Sequence, residues 1–258
     1  MLAASFFLIT TFLNTFFSGP SNPSLVSTDW AGYVVVSDYS NPQPVVVGVN
    51  GSWNVPQVTV SQADEFSATW IGIGGYLEET LIQTGTEQDS INGIAEYSAW
   101  YELLPNDSVT ITTLDVMPGD KIQASIKLVD SDTNEWLLEI ADVTKTQRFR
   151  ESFFYNSSRL SAEWIIERPL VDNIISTLAD FNTVTFTDAS VMVDNKVGTI
   201  SGFPFAQVVL HNRQNAELVT VSSLSSNGSS FTVNYLVTPS VQSQLSRPME
   251  TRSLRQGF

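Results

Sequence analysis

The sequence has no cysteine, a single histidine and only 12 Lys and Arg among its 258 residues. Without cysteine there is no disulfide framework, no thiolate metal site and no cysteine nucleophile. The one histidine, His211, ends the apolar run Gln207 to Leu210 and reads as a strand residue; with no G-x-S-x-G elsewhere, a serine hydrolase has no support. No HExxH or comparable ligand cluster occurs, so neither a metal nor another cofactor is expected. Basic residues are outnumbered by 27 acidic ones, a formal net charge of −15, whereas a nucleic-acid partner calls for a Lys/Arg patch. With every carboxyl protonated, the only positive charges left are the 12 Lys and Arg and the histidine, so self-repulsion in acid stays modest.

Long apolar runs are also scarce. Residues 2–17, LAASFFLITTFLNTFF, are shorter than the roughly 20 residues that span a bilayer. They read as a signal peptide or N-terminal anchor over 1–17, although no Lys or Arg precedes them and no clean small-x-small cleavage site follows. A secreted protein without stable membrane insertion after processing is expected. Residues 18–28 are a Pro/Ser/Gly linker, too short for an inhibitory pro-segment, and 238–258 form a polar, mobile tail. Sequons begin at Asn50, Asn106, Asn156 and Asn227, and most are read as polar turn residues.

What the chain does have is 42% hydrophobic residues, including six Trp and fifteen Phe, enough for a sizeable core. From Asp29 to Val237 short β-branched and aromatic runs alternate with turn signals. The runs include 45–49, 109–114, 121–129, 136–140, 184–186, 207–211 and 230–236. Turns are expected at Asn50-Gly51, 105–107, 118–120, 130–132 and Asn227-Gly228. One helix is expected, around Leu170 to Leu178. The pattern predicts an all-β domain of two packed antiparallel sheets over 29–237.

Residues two apart in a strand share a face. Alternation therefore groups Trp70, Gly72 and Gly74; Leu81, Gln83 and Gly85; Glu96, Ser98, Trp100 and Glu102; and Glu163, Ile165 and Glu167. It sends Tyr97, Ala99, Tyr101, Leu103, Ala162, Trp164 and Ile166 to the opposite, core side. The first set describes either a solvated face or a cleft where aromatics beside isolated carboxyls bind an extended polymer.

Several segments together resemble a known family. Asp29-Trp30-Ala31-Gly32, Gly51 to Pro56, Trp70 to Gly75, Leu81 to Gly85, Tyr97 to Pro105 and Ala162 to Glu167 are similar, in order and with compatible spacing, to motifs of the glutamic peptidases, the eqolisins of family G1. Pro118-Gly119-Asp120 and Ser229 to Tyr235 fall where the family has a Gly-Asp turn and its last strand. The resemblance implies a lectin-like (concanavalin-like) β-sandwich and a secreted acid endopeptidase acting on unfolded protein or peptides, expected as a monomer. It implies that Glu163 is a general base that activates water and that Gln83 stabilises the oxyanion. Trp70, Trp100 and Glu102 are the substrate-binding candidates.

Two positions depart from the family pattern. Gly74 and Ser98 both stand where the family has Asp, and both are expected on the cleft face near Glu163, altering its ionisation. Two rivals from other classes remain open at this point: a glycoside hydrolase using Glu102 and Glu163, and a non-catalytic sugar-binding module stacking ligands on Trp70 and Trp100. Gln83 separates them, because neither rival needs an amide beside its acid.

Overall fold

The computed structural model describes residues 24–76 and 78–236. The apolar run at 1–17, most of the linker segment and the polar tail at 238–258 lie outside the described residues. In chain order the first strands are β1 (Ser24–Ser27), β2 (Trp30–Val36), β3 (Val46–Asn54), β4 (Ala68–Gly74), β5 (Leu81–Ile91) and β6 (Ile94–Leu103). They are followed by β7 (Val109–Thr110), β8 (Lys121–Asp130), β9 (Glu135–Asp142), β10 (Gln147–Phe154), β11 (Ser161–Glu167) and β12 (Leu170–Val171). The last are β13 (Ile174–Ile175), β14 (Thr183–Val193), β15 (Lys196–Thr199), β16 (Phe205–Leu210), β17 (Val219–Val221) and β18 (Phe231–Tyr235).

Two large sheets result. The first runs β1-β16-β2-β11-β4-β5-β6-β7, the second β10-β9-β8-β3-β14-β18-β17 with β15 beside β14. Their ladders are antiparallel except for β1 against β16, which is parallel. The end of the segment read as a linker thus supplies an edge strand. Between the sheets lies a core of Trp53, Ile71, Ile73, Trp136, Trp164, Phe186 and Phe231, with Phe186 stacked on Phe231 at 4.9 Å. Alternation is obeyed: Ala99, Ala162, Trp164 and Ile166 face this core, and Tyr97, Tyr101 and Leu103 pack against it.

The outward face of the first sheet is not solvated, as one face of an antiparallel sheet commonly is. Trp30, Trp70, Leu81, Trp100, Leu104 and Ile165 form a second apolar cluster there, with Leu25 and Tyr76 packed against it. Strands β2, β4 and β11 are in consequence buried along their whole length.

Three local expectations are overturned. Leu170 to Leu178 is no helix: β12 and β13 form a hairpin whose turn, Asp172-Asn173, has φ of 51° and 62°, left-handed values that Asp and Asn tolerate. Asn50-Gly51 is no turn but lies inside β3, where a Cβ at Gly51 would come within about 3.0 Å of Ile71 and the Trp164 ring. The tight hairpin is instead at Asn92-Gly93, between β5 and β6, with φ of 51° and 78°. The run at 109–114 contributes only the two residues of β7, because Ile111 to Leu114 form a turn.

Candidate active site

Strand register brings the two motifs together. Glu163 on β11 pairs with Gly72 on β4, Gly72 with Gln83 on β5, and Gln83 with Glu102 on β6, so the four form one rung across the first sheet. The next rung on the same face holds Ile165, Trp70, Gly85 and Trp100, and the one beyond it Glu167, Ala68, Glu87 and Ser98. Two polar rungs therefore flank an aromatic one.

Gly72 gives the first rung its shape. It lies between Glu163 and Gln83, whose backbones are roughly 10 Å apart at two strand spacings. An added Cβ there would lie 2.8 Å from Leu81 Cδ1, 3.0 Å from the Trp70 ring and 3.3 Å from Gln83 Cβ. With no side chain at Gly72, Leu81 and the Trp70 ring close over the strand that separates the carboxyl from the amide.

Glu163 has no exposed surface, and neither carboxyl oxygen has a hydrogen-bond partner. Burial pushes its pKa well above the ordinary carboxylate range and the charge of Glu78 adds to this. The Ser161 hydroxyl opposes the shift without completing a hydrogen bond. Gln83 donates from Nε2 to Glu102 Oε2 at 2.5 Å, while its own Oε1 is buried without a partner. Glu102 is itself buried and raised to about 7, chiefly by desolvation, with Asp107 and Glu87 contributing and the Gln83 bond opposing. Trp70 donates Nε1 to Glu167 Oε2 at 2.8 Å and meets Trp30 edge-on at 4.8 Å. Trp100 is buried in the same cluster.

The two departures behave differently from the expectation. Ser98 does not neighbour Glu163. It stands two rungs away and donates to Glu87 Oε2 at 3.2 Å. Gly74 is on the cleft face, but with φ of +92° and the carbonyl oxygen of Thr80 only 2.2 Å from where a Cβ would be, it has no room for a side chain. Glu78, from the turn between β4 and β5, brings Oε1 to 3.2 Å from that same point. The carboxylate is held by the Gly75 N–H at 3.2 Å, the Thr80 hydroxyl at 2.9 Å and the Thr80 N–H at 2.7 Å. Sequence reasoning missed Glu78 because a turn residue acquires this place only through the fold.

Among the described residues no group of three or more His, Cys, Asp or Glu side chains is placed to hold a metal ion. His211 pairs with Asn215 at 3.0 Å, at the end of β16. Two depressions of about 590 and 580 Å³ open on the second sheet and include neither Glu163 nor Gln83.

A carboxyl and an amide on one rung of a sheet, with a glycine between them, invite comparison with known proteins. The sequence profile of the Peptidase A4 family matches residues 28–235. The chain belongs to this family of glutamic peptidases, or eqolisins, which hydrolyse peptide bonds. It is 28% identical over 235 residues to aspergillopepsin-2 of Aspergillus niger, covering 81% of this chain and 78% of that protein. It is 28% identical over 201 residues to scytalidopepsin B of Scytalidium lignicola, covering 73% and 72%. In fold it is similar to scytalido-glutamic peptidase solved with a transition-state analog inhibitor, at a TM-score of 0.68 and 23% identity, covering 81% of this chain and 98% of that one. Another eqolisin structure, that of SCP-B with the tripeptide Ala-Ile-His, has a TM-score of 0.63 at 24% identity and covers 81% and 98%. Membership in the eqolisins sets aside the glycoside hydrolase and the sugar-binding module.

Proposed function

We propose that this eqolisin is a secreted acid endopeptidase whose catalytic pair is Glu163 and Gln83. The observation that carries the reading is the first rung: a buried, unpartnered carboxyl and an amide on one face, separated by Gly72. In the reaction, Glu163 takes a proton from a water as the water oxygen bonds to the scissile carbonyl carbon. The carbonyl electron pair moves onto its oxygen, where a Gln83 N–H stabilises it. Collapse of the tetrahedral species restores the carbonyl and breaks the C–N bond, and Glu163 passes its proton to the leaving amine. Trp70 and Trp100 supply apolar wall for an extended peptide, and Glu102 borders the same cleft. Unfolded protein fits this reading, since relatives were solved with a tripeptide and with peptide-based analogs.

The base must be charged to act, whereas burial in the closed cleft favours its neutral form. Water admitted with the substrate rehydrates the carboxyl and brings its pKa down toward the range in which it can act as a base. The test is digestion of a denatured protein at about pH 2 to 5 with pepstatin present, where a carboxyl base near its ordinary pKa keeps a charged fraction. Wild type should cleave, and Glu163→Gln should lose cleavage with its circular dichroism unchanged. Gln83→Ala should lower kcat by roughly two to three orders of magnitude with KM little altered. Full activity in Glu163→Gln, or inhibition by a chelator, would overturn the assignment.

A further inference from the structure

A side-chain amide can be turned through half a revolution at little cost, which exchanges its carbonyl oxygen for its NH2 group. If Gln83 is to offer an N–H to a developing oxyanion, something must decide which way its amide faces. On one side Gly72 has no side chain to do so. On the other, Glu102 stands directly across the ladder with Oε2 2.5 Å from Gln83 Nε2. The second end of the amide, Oε1, is buried and has no partner. An ionised carboxylate offers acceptors only, so it satisfies Nε2 but meets Oε1 with repulsion; a carboxylic acid offers one acceptor and one donor, matching an amide edge for edge.

We propose that Glu102 is a positioning residue: in its neutral form it closes two parallel hydrogen bonds with the Gln83 amide, accepting from Nε2 and donating to Oε1. The second N–H of Nε2 is then left directed away from Glu102, to the side of Gln83 on which Gly72 and Glu163 lie. The inference rests on the reading of Gln83 as the oxyanion donor. The buried, otherwise orphaned Oε1 gains the partner that buried polar atoms ordinarily have.

The surroundings favour the neutral acid. The charged groups that face Glu102 are Asp107 beyond its own strand, Glu87 on β5 and Glu167 on β11, and the phenol of Tyr155 also borders it. All of these are acids, so none rewards ionisation. Burial, with the charges of Asp107 and Glu87 adding to it, keeps Glu102 protonated up to about pH 7, through the acid range proposed for the peptidase. Above that pH the pair opens and Gln83 loses its orientation.

The experiment compares kcat and KM across pH for wild type, Glu102→Gln, Glu102→Ala, Gln83→Ala and the double variant Gln83→Ala/Glu102→Ala. Glu102→Gln keeps one donor and one acceptor without a titrating proton. It should hold kcat in acid near wild type while the alkaline limb of kcat moves to higher pH. Glu102→Ala should lower kcat by roughly ten- to a hundredfold, less than loss of the donor itself, with KM little changed. The double variant should be no slower than Gln83→Ala, because Glu102 acts only through the amide. Wild-type kcat in Glu102→Ala, an effect on KM alone, an alkaline limb that stays in place in Glu102→Gln, or further loss in the double variant would each overturn the proposal. If Gln83→Ala itself keeps wild-type kcat, the reading of Gln83 has failed instead. Should Glu102→Ala fold poorly, the limb in the isosteric Glu102→Gln decides.

Discussion

Glu78 acts on Glu163 through its charge from the turn between β4 and β5, and three donors hold it in place. A fixed like charge beside a buried acid favours the acid's neutral form, and Glu78 acts on Glu163 in that sense. Removing the charge should therefore let Glu163 ionise at lower pH. In Glu78→Gln the acidic limb of kcat/KM should move downward, read from the pH profile of peptide cleavage. An unmoved or raised limb would show that Glu78 does not face the working carboxyl. Ser98→Asp should leave that limb in place, because its neighbours are Glu87 and the third rung rather than Glu163. Gly74→Asp is a poorer probe, since its side chain meets the Thr80 carbonyl before any electrostatic effect is felt.

At the scale of the strand, register decides everything the site can do. A slip of one residue in β11 would turn Glu163 into the core and Trp164 onto the cleft, because strand side chains alternate with period two. The ladder is secured at its end by Tyr155, whose hydroxyl accepts from the Leu81 N–H and donates to the Leu104 carbonyl, each at 2.8 Å. These are the first residue of β5 and the one that follows β6, two residues from Gln83 and Glu102 respectively. Tyr155→Phe leaves both backbone groups without this partner at a half-buried site, a loss of roughly 1–3 kcal/mol. The melting temperature should fall by at least ~2 °C for a domain of this size. A melting temperature equal to wild type in calorimetry would show that the tie adds nothing.

Over the whole molecule, burial of acids couples stability to pH. Glu102 and Glu87 are raised to about 7, and Asp89 and Glu167 to about 8, chiefly by desolvation. Their ordinary values, 3.8 for Asp and 4.5 for Glu, apply once the chain unfolds. Between those limits the folded state binds more protons than the unfolded one, so stability is highest below about pH 4 and declines as pH rises to about 8. An opposing contribution is small: Asp120 is desolvated, yet Lys145 at 2.9 Å holds its pKa below the usual range, a gain lost only in stronger acid. The melting temperature should accordingly fall steadily from pH 4 to pH 8, by an amount on the order of several kcal/mol in stability, and level off beyond. Stability that is flat or rises over that interval would mean that these carboxyls are hydrated in solution.

Composition, turn residues and the alternation of apolar side chains were enough by themselves to specify an all-β domain and, within each strand, to separate Glu163 from Trp164, Trp70 from Ile71, and Trp100 and Glu102 from Ala99 and Tyr101. Period-two alternation is a property of the chain, and so it is legible without the fold. The segment from Leu170 to Leu178 misled because a short apolar run suits a helix or a hairpin equally, and only the left-handed turn at Asp172-Asn173 chose between them. Asn50-Gly51 misled for the opposite reason: its glycine serves the approach of Trp164 and Ile71 from another sheet. Which residues stand opposite one another, that the face is buried, and that Glu78 rather than residue 74 supplies a charge that bears on Glu163 were decided by the tertiary structure. Pairing register and desolvation come from segments far apart in the chain, and no local pattern encodes them.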